Sequence, residues 1–130
     1  MGKKMQETWS YKLQAPKFNK NEKDKMLTAT QEMINELPKL SERVSRINMR
    51  SNWIYMYELI EQTIQDNVIY TKALIDGKYL EFPYARITLY DISGESCTAD
   101  FQRYNNQWMA VHRGTLAECI KSIEADDGWF

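Results

Sequence analysis

The apolar positions of this chain change their spacing along its length, and each change marks an element. Met26, Leu27, Thr30, Met33, Ile34 and Leu37 recur at the three- and four-residue steps of one helical face. Asn21 stands before them as an N-cap, with Glu22 and Asp24 in the first turn where the helix dipole favours anions. Pro38 disfavours helical backbone at Leu37, so this helix ends or kinks there. The spacing resumes at Leu40, Val44 and Ile47, predicting a second short helix or a continuation past the kink. Ser51 and Asn52 give a fresh start signal. Trp53, Met56, Tyr57, Ile60 and Ile64 then follow at i, i+3, i+4, i+7 and i+11, predicting a third helix. Residues 21–66 are thus expected to be helical.

After Asp66 the residue types shift toward β-branched and aromatic. VIYTKALI, Asp76-Gly77 and KYLEFPY predict a hairpin closed by a type I′ turn. A third helix running on to Ile75 and stopped by Gly77 competes with it, but Val68, Ile69, Tyr70 and Thr71 together favour strand. Pro83 predicts a bend or bulge before ARITLYDI. SGE reads as a turn, SCTADFQRY as a strand, and NNQ as a turn into WMAVH. Thr115 and Glu118 form a capping box after Gly114, and Leu116, Cys119, Ile120 and Ile123 make one apolar stripe.

The expected architecture is a single α+β domain. It has two to three N-terminal helices, an antiparallel meander of four to five strands over 67–113, and an amphipathic helix over 115–125 on one sheet face. Residues 1–20 form a basic arm in which Trp9, Tyr11 and Leu13 alternate with Ser10 and Lys12, so part of it is expected to pack as an edge strand. Pro16 confines any such strand to an edge or an end. Residues 126–130 make an acidic-aromatic tail.

Composition adds little to this until charge is divided by position. At 130 residues, with 43% hydrophobic and 27% charged side chains, the chain can bury a sizeable core and holds no low-complexity tract. No apolar run approaches the roughly 20 residues that span a bilayer, and MGKKMQETWSYKLQ lacks the apolar centre of a signal peptide. Cys97 and Cys119 form no CxxC pair and read as small, reduced core residues, so a soluble cytoplasmic protein is expected. The overall charge of −1 conceals an asymmetry. Residues 1–50 carry eleven Lys+Arg against six Asp+Glu, and residues 51–130 carry six against twelve. Such a split suits a polyanion-binding half, or a basic element docked on an acidic body.

Three groups of residues carry candidate chemistry. Lys39, Arg43, Arg46 and Arg50 recur at i, i+4, i+7 and i+11, which on a helix would align guanidinium groups for phosphate. A solvated face paired with Glu36 and Glu42 explains the same charges. In the strand from Ala85 to Asp91, Arg86, Thr88 and Tyr90 point away from Ile87 and Leu89, and Arg103, Tyr104 and Trp108 surround the NNQ turn. An antiparallel face carrying aromatics and arginines is what binders of single-stranded nucleic acid use, although the sixteen aromatics also serve to build a core. The chain ends in Glu124, Ala125, Asp126, Asp127, Gly128, Trp129 and Phe130. This tip resembles the acidic tails of bacterial and phage single-stranded-DNA-binding proteins, a likeness over seven residues that implies partner recruitment by Asp126, Asp127, Trp129 and Phe130.

Catalysis finds little support. His112 is the only histidine and has no triad or metal-ligand spacing around it, and no phosphate-binding glycine motif occurs. Asp91, Glu95 and Asp100 cluster around the SGE turn, where turn chemistry accounts for them. The expectation is a small, non-enzymatic nucleic-acid-binding accessory protein with no cofactor or metal and no membrane association, and with a homodimer compatible. The competing expectation is an adaptor or inhibitor of a larger enzyme, working through its acidic surface and its C-terminal tail.

Overall fold

The computed structural model of the chain describes residues 15–62, 74–103, 105–126, 128 and 130. Helix α1 spans Lys20–Asn35 and is capped by Asn19, two residues earlier than the sequence suggested. Asn19 Oδ1 accepts from Glu22 N at 2.8 Å while Glu22 Oε1 accepts from Asn19 N at 2.9 Å. This reciprocal box satisfies two amide donors that the first turn would otherwise leave orphaned. Pro38 opens a short second helix, α2 (Pro38–Arg43), at the position where its missing N–H costs nothing. Leu37 offers α2 no side-chain cap. Glu124 supplies one from the far end of the chain, its two carboxylate oxygens accepting from Lys39 N at 2.9 Å and Leu40 N at 2.8 Å.

The helical region ends there, and two expectations are corrected. Residues 46–50 form strand β1 (Arg46–Arg50), and the stretch expected as a third helix is strand β2 (Trp53–Glu61). The two are joined by Ser51 and Asn52, with Ser51 at φ 55°. Asn52 is buried and fixes the turn to the next strand through Nδ2 to Leu89 O at 3.0 Å. Strands β3 (Tyr79–Leu89), β4 (Cys97–Gln102) and β5 (Trp108–Gly114) complete a five-stranded antiparallel sheet in the order β1-β2-β3-β4-β5. Helix α3 (Leu116–Ala125) closes the chain behind the expected capping box, Thr115 with Glu118. The architecture is α+β, with a shorter N-terminal helical part than the periodicity implied.

Other expectations stand. Asp76 and Gly77 both have positive φ, 52° and 73°, as a type I′ turn demands, and Ile75 bridges to Tyr79 across it. The strand expected before this turn falls mostly in 63–73, outside the described residues; β3 pairs with β2 from Tyr79 to Thr88. The irregularity foreseen at Pro83 is a register shift in which Met56 faces Ala85 and Tyr57 faces Pro83, leaving Tyr84 extra. Pro83 is tolerated because β4 pairs only with Ala85–Leu89, so no ladder bond is asked of it on that side.

The core lies between the sheet and the helices. Met49, Ile54, Met56, Ala85, Ile87, Leu89, Cys97 and Ala99 meet Ile34, Leu40, Leu116, Cys119, Ile120 and Ile123. Burying each large aliphatic side chain of this set contributes about 1.5–3 kcal/mol. Strand alternation then sends the residues between them to the opposite face. No described helix packs on that second face, and it holds most of the chemistry of interest.

Candidate functional site

Trp53, Tyr55 and Tyr57 occupy alternate positions of β2, with Ile54 and Met56 between them fully buried on the helix side. Arg46 faces Tyr57 in register and lays its guanidinium 4.0 Å from that ring's centre. Its Nε also donates to Glu81 Oε1 at 2.8 Å. Arg50 stands opposite Trp53 and Asn48 opposite Tyr55. Trp108 reaches in from β5, its ring 5.7 Å from Tyr55 in an edge-on arrangement. Tyr55 and Tyr57 are themselves 6.4 Å apart. The face away from the helices therefore carries a row of four aromatic rings with arginines among them.

Arg86 is at the centre of this row. Its guanidinium carbon lies 5.2 Å from the Trp53 ring centre and 4.8 Å from that of Trp108, within cation–π range of both. Arg86 Nε donates to Asp100 Oδ2 at 2.8 Å. Thr88 Oγ1 donates to the same oxygen at 2.6 Å, and Thr98 Oγ1 donates to Asp100 Oδ1 at 2.8 Å. Register causes this convergence: Arg86 is opposite Asp100 and Thr88 is opposite Thr98. Asp100 is 2% exposed, and its burial is compensated by three donors, one of which is the Arg86 cation. The network holds Arg86, and Arg86 in turn spaces the two indoles.

The basic stripe expected on one helical face does not exist. Lys39 and Arg43 belong to α2, whereas Arg46 and Arg50 belong to β1. Arg43 lies on the helix side, with Nε 2.7 Å from Glu58 Oε2 and its guanidinium 3.7 Å from the Tyr84 ring centre. Burial raises the Tyr84 hydroxyl to a pKa of about 12, against the opposing pull of Arg43. The pairs Arg43–Glu58 and Arg46–Glu81 each join the basic first part of the chain to its acidic remainder. Part of the charge split is thus consumed inside the protein. Among the described residues Arg50 and Arg113 make no ion pair, and Arg113, opposite Thr98, lies on the same face as the aromatic row.

Of the other expected residues, Arg86 and Trp108 come together as described. Tyr90 is 52% exposed beyond the end of β3 and Arg103 is exposed beside the turn after β4, and no described contact joins either to the row. Tyr104, Asp127 and Trp129 lie outside the described residues, as does the arm over 1–14. Phe130 folds back: its ring is 6.5 Å from Phe101, edge-on, and packs against the core. Asp126 Oδ2 accepts from Gly128 N and Phe130 N, both at 2.9 Å, and shapes this return.

Sequence reasoning missed Trp53, Tyr55, Tyr57 and Arg113 as site residues. The signal for the first three was the period-two placement of rings in W-I-Y-M-Y.

The acidic residues around the SGE turn do not converge. Asp91 Oδ1 accepts from the amides of Gly94, Glu95 and Ser96 and organises that loop, while Asp100 serves the sheet network. His112 is exposed on the edge strand β5, opposite Ala99. Cys97 and Cys119 are buried free thiols, raised by burial to about 12 and about 11. No group of three potential metal ligands occurs among the described residues, and no helix among them is long and apolar enough to cross a membrane. A groove of about 220 Å³ between α1 and α3, lined by Met33, Glu36, Leu37, Ala117, Ile120 and Lys121, gathers no convergent polar groups. No family model, curated protein or solved structure matches the chain.

Proposed function

We propose that this protein binds single-stranded nucleic acid on the sheet face against which no described helix packs, as a non-enzymatic accessory protein. The observation that carries the reading is the row of Trp53, Tyr55, Tyr57 and Trp108 on a face where no described helix packs. Stacking on such rings makes no demand on base sequence, and each ring contributes about 1–3 kcal/mol in comparable sites. Arg50 and Arg113, free of carboxylate partners among the described residues, flank the row and suit the phosphates of a strand lying across it. A duplex keeps its bases stacked on each other and offers the rings nothing to hold, so single strands are preferred.

The test is fluorescence anisotropy of a labelled 12-nucleotide single strand titrated with protein at several salt concentrations. Two to three phosphate contacts predict a log–log salt slope of about −1.4 to −2. Trp53→Ala and Tyr55→Ala should each weaken binding about fivefold or more. No binding at low salt, or equal binding by these variants and the parent, would overturn the proposal.

A further inference from the structure

From the same site, and resting on the reading just given, we infer that Arg86 makes the face selective for guanine. Three observations lead there. Nε of Arg86 is taken by Asp100 at 2.8 Å, and its remaining N–H donors have no protein acceptor among the described residues. A guanidinium held by Nε is left with one N–H from each terminal nitrogen as a parallel pair, and this fork matches two adjacent acceptors.

The second observation is charge. Asp100 neutralises Arg86 at contact distance and is itself 2% exposed, so the pair presents hydrogen-bond donors with little net positive charge. A phosphate gains little from such a cation and does better at Arg50 or Arg113. A neutral base edge, which needs donors and not charge, is the better fit.

Surroundings supply the third. The Arg86 guanidinium lies over the Trp53 and Trp108 rings, 5.2 Å and 4.8 Å from their centres, so a base that meets its free edge lies beside both indoles. Guanine presents N7 and O6 as neighbouring acceptors on a two-ring base that can spread over indole. Adenine places a donor beside N7 and meets the fork with a repulsive N–H, and thymine has no neighbouring acceptor pair on its exposed edges. Cytosine has adjacent acceptors at N3 and O2 but only one ring to stack. Arg86 is thus the specificity-determining residue of the face, and Asp100 is its positioning residue.

The experiment compares four labelled 12-nucleotide strands on the unmodified protein: all thymine, thymine with isolated guanines, the same with 7-deazaguanine, and thymine with isolated cytosines. Isolated guanines prevent the strands from associating with one another. The guanine strand should bind at least about fivefold tighter than all thymine, and loss of N7 should remove most of that gain. Arg86→Lys, which keeps the charge but loses the fork, should bind the guanine and thymine strands alike with an unchanged salt slope.

Equal affinity for guanine, 7-deazaguanine and thymine strands would overturn the inference while leaving the single-strand reading intact. So would a cytosine preference. A salt slope lowered by about 0.7 in the charge-free pair Arg86→Met with Asp100→Leu would make Arg86 a phosphate contact instead. If no strand binds, both this inference and the reading beneath it fall together.

Discussion

Arg86 and Asp100 face each other in register across β3 and β4, with Nε 2.8 Å from Oδ2, and the carboxylate is almost completely buried. Thr88 and Thr98 complete its coordination. Removing one member of such a pair leaves the other charged and desolvated, a loss of about 3 kcal/mol or more. Asp100→Ala should therefore lower the urea midpoint strongly without changing the slope of the transition. Arg86→Met combined with Asp100→Leu should recover much of the loss, because both charges are then gone. If Asp100→Ala were as stable as the parent, the network would have no structural role.

Helix α2 depends on a residue 84 positions further along the chain, since Glu124 accepts from Leu40 N and also from Lys39 N. Glu124→Ala should cost about 1 kcal/mol, within the range for loss of a helix cap. Glu124→Gln retains one amide oxygen as acceptor and should cost less. Thermal melts of the three proteins check the order. Glu124→Ala melting with the parent would remove the cap from the account.

Alkaline stability follows from three buried groups. Burial raises Cys97 from 9.0 to about 12, Cys119 from 9.0 to about 11, and Tyr84 from 10.0 to about 12. Above pH 9 the unfolded chain releases these protons while the folded protein keeps them, so folding stability must fall as pH rises. It should be flat with respect to these groups below pH 9 and decline through the window from 9 to about 12. Cys97→Ala should make the decline shallower. Denaturant titrations at pH 8, 9.5 and 10.5 measure this, and a stability that rises across the series would contradict it.

The same burial predicts that neither cysteine reacts with iodoacetamide at pH 8 in the folded protein, because the thiolate is scarce and the sulfurs are enclosed. Both should react once the chain is unfolded in urea. Rapid labelling of Cys97 or Cys119 under native conditions would show that the core between α3 and β4 opens readily.

Elements with a local chemical signature were legible in the sequence. The Thr115–Glu118 box, the Asp76-Gly77 turn and the irregularity at Pro83 each rest on backbone requirements that few residues satisfy. Strand β2 was misread because its outward face is itself apolar: Trp53, Tyr55 and Tyr57 erase the polar half of the alternation that would have marked a strand. The continuous run then fits helical spacing as well. Strand β1 did alternate, with Arg46, Asn48 and Arg50 outward and Ile47 and Met49 inward, but Leu40, Val44 and Ile47 also fit a helix running through it. The feature that builds the candidate site is thus the one that hid its strand. Pairing of Arg43 with Glu58 and of Arg46 with Glu81 was equally beyond reach, since it follows from tertiary placement and not from spacing.

Ultraviolet cross-linking of the protein to a photoreactive single strand, followed by mapping of the modified residues, tests the central claim most directly. Cross-links should concentrate on Trp53, Tyr55, Tyr57 and Trp108, with none on the outer face of α1. Modification confined to Lys20–Arg43, or spread evenly over the surface, would contradict the proposal that the sheet face away from the described helices is the binding site.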